Sequence, residues 1–398
     1  MRDKERVERI QEELKLAQLD ALVCALPIHV LLLSGYWPVI GVSLAIVTSE
    51  GATILLVPED ERELTVAGWA DEVHTFQPSP LSRLVPLETA VAVEWRRLAA
   101  KLGLDHARVG YESGPVSEPA SYVAINLYGP TFLDILQHGS SGARFVAVDE
   151  MLAKLMSVKT RVEVDHIREA CRVAQEAFSA GKLRLGAGLA ESEAATAFRS
   201  NLSSGSANCG AHRSDGFVFC MSGPNSAKAG GAYARSRERK LSTGDLVLIH
   251  CNSYVDGFWT DITRTYTLGA PEAKQRQLYE AVFEARQAAL EAIAPGVEAR
   301  TVDEAARSVL AMHGFGEEFK HSTGHGVGFA AISANARPQI HPASRECLDR
   351  GMVFNVEPAV YLEGYGGVRH CDMVVVTGTG YQLLTPFQTT TDELYISL

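Results

Sequence analysis

Apolar positions recur at helical spacing at the start of the chain, where Val7, Ile10, Leu14 and Ala17 form one stripe and predict an amphipathic helix. Short apolar runs follow at "DALVCAL", "GVSLAIVTS" and "ATILLVPE", then a helical stretch at "AVAVEWRRLAAKLG" and a strand at "RVGYES". The alternation predicts an α/β N-terminal domain, residues 1–157, built on a mostly parallel or mixed sheet. The longest apolar stretch, Ile28 to Val47, is broken by His29, Ser34-Gly35, Pro38, Gly41 and Ser43. It reads as two buried strands around a turn, not as a membrane span.

Beyond residue 157 the pattern changes. Ile167, Ala170, Cys171, Ala174, Ala177 and Phe178 fall at helical spacing. Helices at 163–184 and 191–203 precede strands at 216–221 and 245–268; helices at 272–294 and 302–313 precede strands at 326–333, 352–361 and 369–377. Residues 158–398 are therefore predicted as an α+β domain of duplicated helix-and-hairpin halves, with the two hairpins face to face. Pro271 and Pro295-Gly296 bracket the third helix, and Thr301 with Glu304 predicts a capping box for the fourth.

Composition narrows the function classes. A chain of 398 residues with 46% hydrophobic and 21% charged residues has ample material for two cores. The net charge is −11 and the basic residues are scattered, so a nucleic-acid partner is not expected. The seven cysteines (24, 171, 209, 220, 251, 347 and 371) are odd in number and contain no CxxC, which predicts reduced thiols in a cytoplasmic protein. The charged, helical start predicts no signal peptide.

Candidate chemistry concentrates in four stretches. In "LIHCNSYVDGFWTDITRTYTLG", His250 and Asp261 flank a Val-Asp-Gly turn, and hairpin parity puts them on one face whether the turn centres on Val255-Asp256 or Asp256-Gly257. "HSTGHGVGF" carries His321 and His325 on a glycine-rich backbone that permits close approach. "GMVFNVEPAVY" ends an apolar strand on Glu357, before a proline, where a buried carboxylate requires a cation or hydrogen bonds. "GGVRHCDMVVV" presents Arg369, His370, Cys371 and Asp372.

In this order the stretches resemble the pita-bread hydrolases: methionine aminopeptidase, Xaa-Pro aminopeptidase, prolidase and creatinase. The N-terminal "LDALVCALPIHVLLLSGYWPV" is similar to the accessory domain of the creatinase/prolidase branch, so the resemblance spans nearly the whole chain. It implies five ligands for two divalent ions, Asp, Asp, His, Glu and Glu in chain order, which fall here on His250, Asp261, His325, Glu357 and Cys371. Asp261, His325 and Glu357 match; His250 and Cys371 replace carboxylates. Imidazole offers one nitrogen at a time and thiolate is softer, so one ion, with zinc favoured over manganese or cobalt, replaces two; a metal-free site is the alternative. Two auxiliary family histidines are also absent, with Gly230 at one position and Asn335-Ala336 at the other. His212, His321, His341 and His370 are candidate replacements.

Several functions fit these residues. The first is hydrolysis of an amide, peptide or amidine-like C–N bond in a small polar substrate, with Glu357 or a histidine moving protons and Arg369 holding a substrate carboxylate. A metal-free variant makes Cys371 a nucleophile with His250 or His370 as base. Ordinary Xaa-Pro dipeptidase or aminopeptidase action is the family alternative, and a catalytically silent peptide-binding protein is another. The resemblance further implies a homodimer in which "HVLLLSGYWP" of one subunit overhangs the other's cleft, bringing His29, Tyr36 or Trp37 to a small-molecule or short-peptide substrate.

Overall fold

The computed structural model describes residues 2–39, 42–78, 82, 84–114, 129–209, 212–230, 235–333 and 336–397. The chain divides into two compact units, Met1–Met156 with Ser333–Asn335, and Ser157–Ile332 with Ala336–Leu398.

The first unit begins with α1 (Lys4–Leu16), β1 (Ala21–Cys24), α2 (Pro27–Ser34), β2 (Leu44–Thr48) and β3 (Thr53–Pro58). It continues through β4 (Glu72–Phe76), α3 (Leu87–Lys101), β5 (Arg108–Tyr111), α4 (Pro130–Gly139), β6 (Arg144–Ala147) and α5 (Asp149–Ser157). The sheet order is β4-β3-β2-β1-β5-β6, and its two antiparallel pairs, β1–β2 and β2–β3, make it mixed. Val23, Ile46, Leu56, Trp95 and Phe132 pack into one buried cluster, and the Trp95 indole donates to the Leu136 carbonyl.

The apolar stretch 28–47 departs from the two-strand expectation, because its first half is the helix α2. Pro27 stands in the first turn, where its missing N–H costs nothing, and Gly35 closes the helix at φ 68°. Five consecutive residues, Val30 to Ser34, are buried, so the helix has no polar face for periodicity to reveal.

The second unit contains α6 (Arg161–Lys182), α7 (Glu191–Cys209), β7 (Ser214–Ser222), β8 (Leu246–Val255), β9 (Phe258–Leu268), α8 (Ala273–Glu291) and α9 (Ala299–Met312). After these come β10 (Gly324–His325), β11 (Gln339–Ile340), β12 (Val353–Val356), β13 (Ala359–Leu362), β14 (Gly366–Arg369), β15 (Asp372–Val376), β16 (Tyr381–Leu383) and β17 (Tyr395–Ile396). Thr160 and Glu163 form a reciprocal capping box that starts α6, worth about 1 kcal/mol. The box expected at Thr301 and Glu304 does not form. The helix begins earlier, at Ala299 behind Glu298, and Thr301 already lies inside it.

The β8–β9 hairpin is the centre of a sheet ordered β17-β9-β8-β7. Its turn is Asp256-Gly257, at φ 46° and 88°, the left-handed pair that a tight two-residue hairpin demands. The expected strands at 352–361 and 369–377 are each broken in two. Pro358 lacks an N–H, so β12 stops before it and β13 begins after it in a different sheet; between β14 and β15 the chain switches sheets at His370-Cys371, where the Cys371 N–H turns to the Thr263 carbonyl. Glu357 and Cys371 sit at these two breaks. The strand predicted at 326–333 does not form: the two-residue β10 ends just before it, and only an isolated bridge from Gly326 to Phe354 follows.

Candidate active site

The Asp256-Gly257 turn sets the hairpin register. His250 pairs with Thr263, and Asn252 pairs with Asp261. All four therefore share one face, since alternate strand residues point the same way. His250 and Asp261 are diagonal neighbours, with Nδ1 3.6 Å from Oδ1. Cys371 is stitched to the same hairpin: its N–H donates to the Thr263 carbonyl at 3.0 Å. Its Sγ lies 3.2 Å from the Asp261 carbonyl and 3.8 Å from Asp261 Oδ1.

The remaining residues arrive from the other strands. Glu357 is anchored by its N–H to the Thr323 carbonyl at 2.8 Å. The His325 N–H donates to Asn355 Oδ1 at 2.6 Å, and its Nε2 lies 3.6 Å from Asp261 Oδ2. The flanking glycines are obligatory here: a Cβ on Gly324 would lie 1.9 Å from the Asn355 carbonyl oxygen, and one on Gly326 2.1 Å from that of Arg337. Donor atoms of Asp261, Glu357 and Cys371 all lie within 4.8 Å of one another, in side chains 2%, 8% and 0% exposed.

Two further groups line the site. Arg369 donates through Nε to Thr263 Oγ1 at 3.1 Å and through Nη1 to the Tyr361 hydroxyl at 3.4 Å, and Nη1 lies 3.8 Å from Glu357. His321 Nε2 meets the Tyr361 hydroxyl at 3.0 Å, while its Nδ1 donates to the Ser322 carbonyl at 2.8 Å. A Cβ on Gly230 would lie 2.9 Å from the Tyr361 ring. The position where the resemblance expects a histidine is thus packed against Tyr361.

Charge in this buried cluster is organised around Asp261. Burial raises its pKa, but His250, His325 and Arg369 outweigh that and hold it at about 2. Burial opposes charge on His325, yet Asp261 and Glu357 raise it to about 9. His250 is pushed down, chiefly by burial, and is neutral near pH 7. Burial, then Asp261 and Glu357, push the Cys371 thiol well up. No histidine nitrogen is within hydrogen-bonding distance of Cys371 Sγ among the described residues, so the site holds an inert thiol unless a cation draws off its proton.

Other residues singled out in the sequence are not in this cluster. His370 is buried against Phe283, with its ring centroid 4.8 Å away, on the side of Asp372, and burial lowers it to about 4. It cannot serve Cys371 as base, because the next residue along the strand faces the opposite way. His212 and His341 are exposed. Tyr36 belongs to the interior of the first unit, 2% exposed, with its hydroxyl donating to Glu61. Trp37 lies beside it in the same unit, half-buried, and Asn335 is outside the described residues. The residues not anticipated are Asn252, Thr263, Asn355 and Tyr361. The only signal for Asn252 and Thr263 was their two-residue offset from His250 and Asp261, which fixes the same face.

Residues 165–378 match the description of metallopeptidase family M24, and residues 6–155 match that of the creatinase/prolidase N-terminal domain. The chain belongs to metallopeptidase family M24. It is 30% identical over 381 residues to the Xaa-Pro dipeptidase of Pyrococcus horikoshii, covering 96% of this chain and 97% of that one. A second Xaa-Pro dipeptidase, from Pyrococcus furiosus, is 33% identical over 246 residues, 62% of this chain and 68% of the relative. The crystal structure of the prolidase from Pyrococcus horikoshii superposes with a TM-score of 0.76 at 28% identity, over 98% of this chain and all of that one. The two-domain creatinase/prolidase architecture with a pita-bread second domain is therefore that of this M24 member, a C–N bond hydrolase of the metallopeptidase type.

Family M24 implies a divalent metal. The described residues fit one ion: the Asp261, Glu357 and Cys371 donors converge, with His325 Nε2 beside them. They do not fit two bridged by carboxylates. Both His250 nitrogens are engaged, Nδ1 with Thr263 Oγ1 and Nε2 with Asn252 Oδ1, each at 3.1 Å, and Cys371 brings one sulfur where two oxygens would be needed.

Proposed function

We propose that the second unit hydrolyses an amide or amidine-like C–N bond in a small, carboxylate-bearing substrate, at a single zinc ion held by Asp261, His325, Glu357 and Cys371. The observation that carries this reading is the convergence of two carboxylates and a thiol within 4.8 Å. Mixed N, O and S ligation suits zinc better than manganese or cobalt. When bound, such an ion supplies Lewis acidity that makes water nucleophilic near neutral pH.

The protein's own residues do the rest. Glu357 is placed to take a proton from the attacking water. Arg369 Nη2 has no hydrogen-bond partner among the described residues and is free for a substrate carboxylate, while Nε and Nη1 fix the plane of the guanidinium. Tyr361, kept protonated by burial at about 12, gives its hydroxyl proton to the departing nitrogen and regains one from Glu357, while His321, fixed by Nδ1 donating to Ser322, orients that hydroxyl.

The relatives' activity supports a second reading, cleavage of Xaa-Pro dipeptides. Turnover of N-acetylglycine, N-carbamoylglycine, a guanidino acid and Ala-Pro by zinc-loaded protein separates the two. One zinc per chain with preference for a non-peptide substrate is expected. Preference for Ala-Pro overturns the substrate assignment.

A further inference from the structure

A hydrogen-bond chain crosses the hairpin from Arg369 through Thr263 and His250 to Asn252. Arg369 Nε can only donate, so Thr263 Oγ1 accepts from it at 3.1 Å. The Thr263 hydroxyl keeps its own hydrogen and a second lone pair, and in the arrangement that gives the hydrogen to His250 Nδ1, 3.1 Å away, that nitrogen is the acceptor. With Nδ1 accepting, the neutral ring carries its hydrogen on Nε2, which donates to Asn252 Oδ1 at 3.1 Å. That contact fixes the orientation of the Asn252 amide and turns its NH2 group away from His250.

The Asn252 amide nitrogen is buried and has no partner among the described residues, in a side chain only 7% exposed. A buried donor without a partner weakens the free protein, so a ligand that accepts from it gains what the free protein forgoes. Asn252 lies directly across the hairpin from Asp261, on the face that carries the convergent donors. A buried, unpartnered donor on a residue of that face, with its amide oxygen held by a second residue, has the attributes of a group that stabilises developing negative charge.

We propose that Asn252 is the oxyanion donor of this enzyme, binding the carbonyl oxygen of the scissile bond, and that His250 is the positioning residue that aims it. Where the resemblance expects a second metal site, this chain has an amide held by an imidazole. The inference rests on the hydrolase reading above. As the scissile carbon becomes tetrahedral, its oxygen gains negative charge and shortens its contact to the Asn252 amide, with no proton transferred.

The test uses 2-carboxyethyl(methyl)phosphinate, a tetrahedral anionic mimic of N-acetylglycine cleavage, titrated calorimetrically into zinc-loaded full-length protein, with zinc counted by mass spectrometry. Asn252→Ala is expected to keep one zinc and to bind the probe about 10- to 100-fold more weakly, the loss of a hydrogen bond to a charged group. The near-isosteric Asn252→Asp guards against a folding defect and should lose at least as much. If both variants bind as tightly as the parent, the oxyanion role is overturned while the hydrolase reading stands. If the parent binds zinc but not the probe, the substrate reading falls and takes the inference with it. Two ions in the parent and one in Asn252→Ala would make the pair a metal site and overturn the proposal.

Discussion

Cys371 and Asp372 are adjacent in sequence and equally buried, yet they enter two opposite kinds of polar cluster. Asp372 Oδ1 accepts from Arg264 Nη2 and from Thr385 Oγ1, both at 2.7 Å, and Oδ2 accepts from Arg286 Nε at 2.5 Å. Arg264 also donates to the carbonyls of Thr263, Cys371 and Phe387. That cluster is closed. Around Cys371, by contrast, Asp261, His325 and Glu357 approach one another at 3.6 to 4.8 Å with few hydrogen bonds between side chains. Equal burial thus yields a structural joint on one side of the strand and, on the other, a set of groups awaiting a cation and a substrate.

The contrast can be broken from the structural side most severely. Asp372→Asn leaves Arg264, with no exposed surface, short of its charge partner, and should cost about 3–5 kcal/mol in denaturant unfolding. An unchanged midpoint would mean the cluster is not the joint described. On the other side, His325→Ala should abolish metal retention with little loss of fold, measured as zinc per chain after gel filtration; full zinc content would show that the cation site has been misplaced. Cys371→Ser replaces a soft donor with a hard one and should weaken zinc while leaving manganese binding little changed in competition titrations. The smallest effect is expected for His370→Phe. His370 is uncharged at neutral pH and its Nε2 lies 3.4 Å from an Asp372 carboxylate already held by Arg264, Arg286 and Thr385, so an apolar ring of similar size should shift stability by less than about 1 kcal/mol.

The sequence was most informative where chemistry imposes unusual residues. His325 among glycines, Glu357 before a proline and Asp261 beside a hairpin turn each stood out because those backbones or burials need explanation. Asn252 and Thr263 did not, since polar residues on strands are ordinary, and only the register reveals that they face Asp261. The helix α2 was illegible for a different reason: a segment buried all round has no amphipathic period. The break at Glu357 was masked by the apolar stretches on either side of it, and the one at Cys371 by the apolar run that follows Asp372.

The bridge between Thr263 and Cys371 joins segments more than a hundred positions apart, and it also brings the sulfur to the carboxylates. During synthesis the strands of the hairpin emerge long before that thiol does. A chain that stops before residue 371 therefore lacks the thiol of the proposed site and its bridge to β9. On the proposed ligand set, metal acquisition then waits until nearly the whole polypeptide has been made.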